Sequence, residues 1–394
     1  MILPRACAVF TLLLAVGCGS HRQAQQAQAV PAANPQAVSR MAEGVEAAKS
    51  PNGKERAIGL FEQAVKADSS LWEARYDLGV LYADAGNLAA AERELNQAAQ
   101  LSPNSEDVVL ALAEVRRRRR DPASAIQALE SFVKGHPHAA LAPIALMTVL
   151  REGGKVDAAI DLAHRLLVRR ARDPYVLSEL ALAHLEKGEI DTAEILVQEA
   201  LKAEPRSAVA ERTAGLVALK KGDDALSFKH FAKASDLDPN DTTARLNIGT
   251  VLLQAGVYDR AAEQFRAVHD AEPDDVAATL GLAAARRSLA KKDDSAAIAE
   301  VEKLLKSVLD KEPDNLAATF NLAVLYADYG KRPTEAAQLF RRFLEQAPPS
   351  HPARPEAEKW LSAQSSAAPS APASAGQPTT PAVSKPVPKP SPKR

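Results

Sequence analysis

Residues 72–103 read WEARYDLGVLYADAGNLAAAERELNQAAQLSP. Leu78, Tyr82 and the apolar residues between them recur at helical spacing. Gly86 and Asn87 interrupt that pattern with turn chemistry. Leu88, Ala91, Leu95 and Ala98 resume it, and Pro103 cannot continue a helix and stops it. The stretch is a helix, a tight turn and a second helix.

The same order of small and large residues returns along the chain. Leu112-Ala113, Ala125 and Leu129 repeat it, and so do Leu180-Ala181, Gly188, Ala193 and Ala200. Gly215, Gly222, Phe231 and Ala234 follow, then Ile248-Gly249, Gly256, Ala261 and Phe265. Leu322-Ala323, Gly330, Ala336 and Phe340 close the series. A copy starting at Ala140 departs from it, with the large Met147 where a small residue is usual. Another, starting at Val276, is closed by Pro313 six residues late, which predicts a lengthened turn or helix. A period of 34 residues with this pattern resembles the tetratricopeptide repeat family. The resemblance implies an all-α, right-handed superhelical solenoid of about nine stacked helix hairpins. A hairpin cannot bury its apolar face alone, so neighbours must stack.

Composition fits that expectation. The chain has 394 residues, 46% hydrophobic and only 4% aromatic. Lys plus Arg number 49 and Asp plus Glu 50, so no global field points to nucleic acid. Cys7 and Cys18 are the only cysteines. The folded body therefore holds no disulfide framework and no cysteine metal site.

The ends read differently. Residues 1–17 resemble a secretory signal, with Arg5 followed by an apolar run too short to span a bilayer. Leu14-Ala15-Val16-Gly17-Cys18 is similar to a bacterial lipobox, with Ala15 where a large aliphatic residue is usual; the resemblance implies lipid on Cys18, the alternative being an ordinary cleaved signal. Gly19 after the cysteine implies the outer membrane by the same resemblance. Residues 18–37 carry almost no large apolar side chains and are expected to form a flexible tether. The solenoid is expected over 38–348, a capping helix with a solvated outer face over 349–364, and a disordered Pro, Ala, Ser and Lys tail over 365–394.

Chemistry-bearing motifs are missing from the sequence. It has no phosphate loop, no nucleophile elbow and no His-Glu-x-x-His. His136-Pro137-His138 reads as a solvated linker. The expectation is a non-enzymatic protein without cofactor or metal.

Two surfaces remain. The resemblance implies that the first helix of each repeat lines a concave face at its second, fifth, ninth and twelfth positions. Those places hold Tyr76, Val80, Leu110, Ile144, Tyr175, Leu182, Leu185, Leu216, Leu219, Leu246, Leu253, Phe320 and Val324. The expected ligand is an amphipathic helix or extended peptide in that groove. Leu246 and Thr250 stand where chaperone-binding relatives carry a carboxylate clamp, which argues against capture of a free C-terminus. The second surface is the run Arg116, Arg117, Arg118, Arg119 and Arg120, joined by Arg165, Arg169 and Arg170. It reads as solvated helix ends or as a basic docking patch. Together these features imply a scaffold for other envelope proteins on the periplasmic face of the outer membrane, as in gliding motility. The alternatives are a pilotin or assembly factor for a secretin, pilus or exopolysaccharide exporter, and a non-catalytic subunit of an envelope enzyme.

Overall fold

A computed structural model describes residues 33–50, 52–291, 294–329 and 332–367. The signal, Cys18, most of the tether and the tail beyond 367 lie outside the described residues. The described residues form nineteen helices and no strand. They fall into two units, one ending at Val115 and one beginning at Arg116, and each is considered by itself.

The first unit contains α1 (Pro35–Ala48), α2 (Lys54–Ala67), α3 (Trp72–Asp84), α4 (Leu88–Leu101) and most of α5 (Glu106–Arg118). Helix α1 starts three residues inside the segment expected to be tether. Asn34 accepts from the Gln36 amide and Pro35 takes the first turn, a strong start signal for a weakly apolar helix. In α3 the chain departs from the family pattern, with Arg75 at the fourth repeat position where tryptophan is usual. Arg75 is buried, and its guanidinium meets the buried Glu94 carboxylate of α4 at 2.7 Å. An ion pair thus bridges the two helices of this hairpin where a ring would pack.

The second unit contains α6 (Pro122–Gly135), α7 (Ala142–Glu152), α8 (Val156–Arg169), α9 (Pro174–Glu186), α10 (Ile190–Ala203), α11 (Ala208–Lys220) and α12 (Asp224–Leu237). It continues with α13 (Thr242–Gln254), α14 (Tyr258–Ala271), α15 (Val276–Leu289), α16 (Ser295–Lys311), α17 (Leu316–Asp328), α18 (Pro333–Gln346) and α19 (Arg354–Ala367). Each helix packs on the next. Asp173, Ser207, Asp241, Asp275 and Asn315 occupy the same place in successive repeats, and each side chain caps the helix that follows.

Small-to-large contacts set the hairpin spacing. A Cβ on Gly215 would stand 2.5 Å from the Phe231 ring, and one on Gly249 would stand 2.9 Å from Phe265. Met147 is accommodated by the reverse exchange. The register position facing it on α8 is Ala163, and both are fully buried. The late Pro313 is explained too. Relative to α13 and α14, one extra residue lengthens α15, two lengthen the following turn and three lengthen α16. At the end, Trp360 of α19 packs on Phe340 with ring centroids 5.1 Å apart. That helix therefore covers the last hairpin's core.

The turn between the helices of a hairpin needs a left-handed residue. Gly86, Gly154, Gly188, Gly222 and Gly256 all adopt φ between 75° and 78°. Arg120 fills that place in the turn between α5 and α6, with φ 59°.

Candidate protein-binding groove

Contacts in the second unit show which helices line the inner face. Besides their sequence neighbours, α7 and α9, α9 and α11, α13 and α15, and α15 and α17 touch one another. No comparable contact joins the even-numbered helices. The odd-numbered helices are the crowded, inner layer.

The expected groove residues lie on these helices but are not all free. Tyr175 of α9 is 47% exposed. Ile144, Leu182, Leu216, Leu219, Leu246, Leu253, Phe320 and Val324 are half-buried. Leu216, Leu219, Leu246 and Leu253 pack against the core around Phe231 and Phe265. Phe320 lies 5.1 Å from the Phe343 ring and 5.8 Å from Phe340. These side chains help to stack the repeats while keeping part of their surface open. Leu185 is a clear correction. It is buried with Ala181, Ala193, Val197, Ala214 and Val217, because the twelfth position of α9 turns towards α10 and α11. Leu141, just before α7, was missed although it is 52% exposed. The same positional rule reaches it, since it stands second in its repeat as Tyr175 does. In the first unit Tyr76, Val80 and Leu110 are half-buried on α3 and α5. Burial, then the charges of Asp107 and Asp77, raise the Tyr76 hydroxyl above its ordinary value.

Polar groups beside the groove are tied into one another. Arg151 of α7 meets Glu179 at 3.3 Å and Glu186 at 2.5 Å, both on α9. Burial raises the Glu179 carboxyl despite that cation. Arg212 of α11 meets Asp241 at 2.6 Å. Glu211 is almost fully buried, with His230 at 2.7 Å and Lys233 at 2.5 Å. It stands at the fourth repeat position, where Arg75 stands in the first unit.

The arginines have specific duties. Arg116 donates to the Ser124 carbonyl at 3.0 Å, and Arg117 meets Glu152 at 3.4 Å. Arg118 at the end of α5 and Arg119 and Arg120 in the turn before α6 are exposed. Arg169 donates to the Pro137 carbonyl at 3.0 Å, and Arg170 to the Ala140 carbonyl at 2.7 Å. The latter two pin the loop between α6 and α7, and Arg165 is exposed on α8. The basic residues lie at the end of α5 and in the turn after it, and on or just after α8.

Among the described residues, no group of three or more His, Cys, Asp and Glu side chains is arranged to hold a metal ion. No described helix is long and apolar enough to cross a membrane.

Stacked helix hairpins with an inner layer of half-buried apolar side chains define an α-helical repeat protein of the kind that binds other proteins. Comparison with family profiles names the repeat. The tetratricopeptide repeat profile matches residues 52–106, 110–176, 144–208, 178–242, 246–307 and 295–351, and the chain belongs to that family. Solved structures are similar at a distance. A tetratricopeptide repeat protein from Parabacteroides merdae is 17% identical with a TM-score of 0.41, over 64% of this chain and 96% of that one. PilW, a widely conserved type IV pilus biogenesis factor, is 17% identical with a TM-score of 0.43, over 56% of this chain and 100% of that one. Comparison with curated proteins finds no match.

Proposed function

We propose that this chain is a scaffold held at the periplasmic face of the outer membrane by lipid on Cys18. On the inner face of its second unit it takes a helix or extended peptide from another envelope protein. The observation that carries the groove reading is the inner surface of α9, α11 and α13. Tyr175 is exposed there, and Leu182, Leu216 and Leu246 keep part of their apolar surface open beside it. Apolar surface left open in a row fits an amphipathic ligand better than water. The anchor reading is supported by the signal-like leader and by the lipobox-like residues 14–18.

Photocrosslinking in cells tests the groove. A crosslinker placed at Tyr175 should capture a discrete protein that one placed at Arg341, exposed on α18, does not. Capture of the same proteins from both positions refutes the groove. Membrane fractionation of Cys18→Ala tests the anchor: the variant should leave the membrane fraction, and unchanged fractionation overturns that part of the proposal.

A further inference from the structure

The turn between α5 and α6 departs from its copies in a way that points to a second role. Five equivalent turns use glycine for the left-handed position. Arg120 occupies it at φ 59°, a conformation that side chains resist and glycine adopts freely. Strain held at one copy of a repeated turn calls for a compensating contact. The contact is visible. The Arg120 guanidinium pairs with the Glu312 carboxylate, 192 residues further along the chain. Glu312 lies in the turn between α16 and α17. The two turns face each other across a cavity of about 570 Å³, walled by Arg118, Arg119 and Arg120 on one side and by Lys311, Asp314 and Asn315 on the other.

We infer that Arg120 and Glu312 form a clasp that joins the turn before α6 to the turn after α16. Helices α6 to α16 then form a loop of repeats whose two ends meet. The clasp is built to open. Arg120 is 76% exposed and Glu312 25%, and a pair so accessible to solvent is weak and screened by salt. A closed clasp shuts the lateral entrance to the inner face of α7 to α15, and an open one admits a partner from the side. That consequence rests on the groove reading, whereas the clasp itself does not.

Zero-length crosslinking of the full chain tests it. The variant R120K puts an amine beside the Glu312 carboxylate, which a carbodiimide can join to it. Mass spectrometry should then find residues 120 and 312 linked. Two pairs already in the chain serve as controls, Lys187 with Asp157 at 2.9 Å and Lys221 with Glu194 at 2.8 Å. The 120–312 link should form with a yield comparable to these and be lost when E312Q is added. Control links without the 120–312 link overturn the clasp. A second variant separates clasp from folding. R120G suits the turn, so it should keep the helical content and melting temperature of the parent while small-angle scattering shows a larger radius of gyration. An unchanged radius also overturns the proposal. Failure of the groove would instead appear as indiscriminate capture from Tyr175, with the 120–312 link intact.

Discussion

Substituting Gly215 with alanine tests the packing that spaces the hairpins. Gly215 is buried in α11, and a Cβ there would meet Cδ1 and Cε1 of Phe231, each at 2.5 Å, and Cζ at 2.9 Å. The ring cannot swing aside, since Phe231 is fully buried. Alanine in place of glycine favours the helix by about 0.8–1.0 kcal/mol. Overpacking a filled core costs about 1–3 kcal/mol. The net effect should be a loss of up to about 2 kcal/mol. Gly59 in α2 provides the opposite case, because a Cβ there meets nothing within 4 Å. Its alanine variant should gain close to the full helical term. Phe231→Leu alone should cost about 1–2 kcal/mol, less than complete truncation of a buried ring. The double variant G215A/F231L recreates the Ala113 and Leu129 pairing already buried in this chain, so its cost should fall below the sum of the singles by about 0.5–3 kcal/mol. Hydrogen exchange resolved over α11 and α12 is the suitable assay, since long repeat arrays need not unfold in one step. If G215A stabilises as G59A does, or the two costs simply add, the close-approach account is wrong.

Three further outcomes are expected. R75A should destabilise the first unit by about 1–3 kcal/mol, because it takes from Glu94 its buried partner and leaves only the largely exposed Arg93 at 3.0 Å, whereas R75L/E94L should be near neutral; urea melts compare them. Burial, and then Glu73, pushes the Asp77 carboxyl up to about 6, above its unfolded value. That contribution is complete below about pH 4 and is lost as pH rises through 6, so D77N should stabilise the chain at pH 7 by at most about 3 kcal/mol and not at pH 4, read from melts at both. Burial alone would raise Glu302, but hydrogen bonds from Lys306, Tyr326 and Arg332 outweigh it and hold it at about 2. Its stabilising contribution is present above about pH 4.5 and lost as pH falls towards 2, so R332A, which also removes the guanidinium 3.9 Å from the Tyr326 ring centre, should cost about 1–2 kcal/mol at pH 7 and less at pH 2 by thermal melting.

The repeats were legible because each one states the same packing problem in the same order. Gly249 and Phe265, or Gly79 and Leu95, are local pairs within a hairpin, and their spacing is written directly in the chain. The start of α1 was harder to see. Its evidence was the cap at Asn34 and the proline after it, while the apolar pattern used to place the other helices is faint there. The recurring cap positions from Asp173 to Asn315 were equally available and would have fixed five helix starts. Leu185 shows a different limit. Its position in the repeat matches those of Leu219 and Leu253, yet it alone of the three is buried. Burial depends on how far each repeat turns against the next, which the spacing within one repeat does not encode. The Arg120 and Glu312 contact is further still from local pattern, because it joins turns five repeats apart. What the sequence does carry is the oddity of an arginine where five other turns hold glycine.

The half-burial of the groove residues changes what binding would do to the protein. A fully exposed row of leucines would make ligand affinity independent of the scaffold. Leu216 and Leu246 instead touch the core between repeats while keeping one side open. A ligand covering that side adds contacts to the same side chains that hold α11 and α13 on the core around Phe231 and Phe265. It must therefore favour the stacked state over any locally opened one, and by linkage the gain grows with ligand concentration. At a free concentration one hundred times its dissociation constant, the stabilisation is about 2.7 kcal/mol. The strengthening should be centred on α9 to α13, where the open apolar side chains lie, and weaker at α17 to α19, where Phe320 and Trp360 already close the core. A partner that protects α17 to α19 most strongly would instead point to binding at the end of the array, with the inner leucines serving the stack alone.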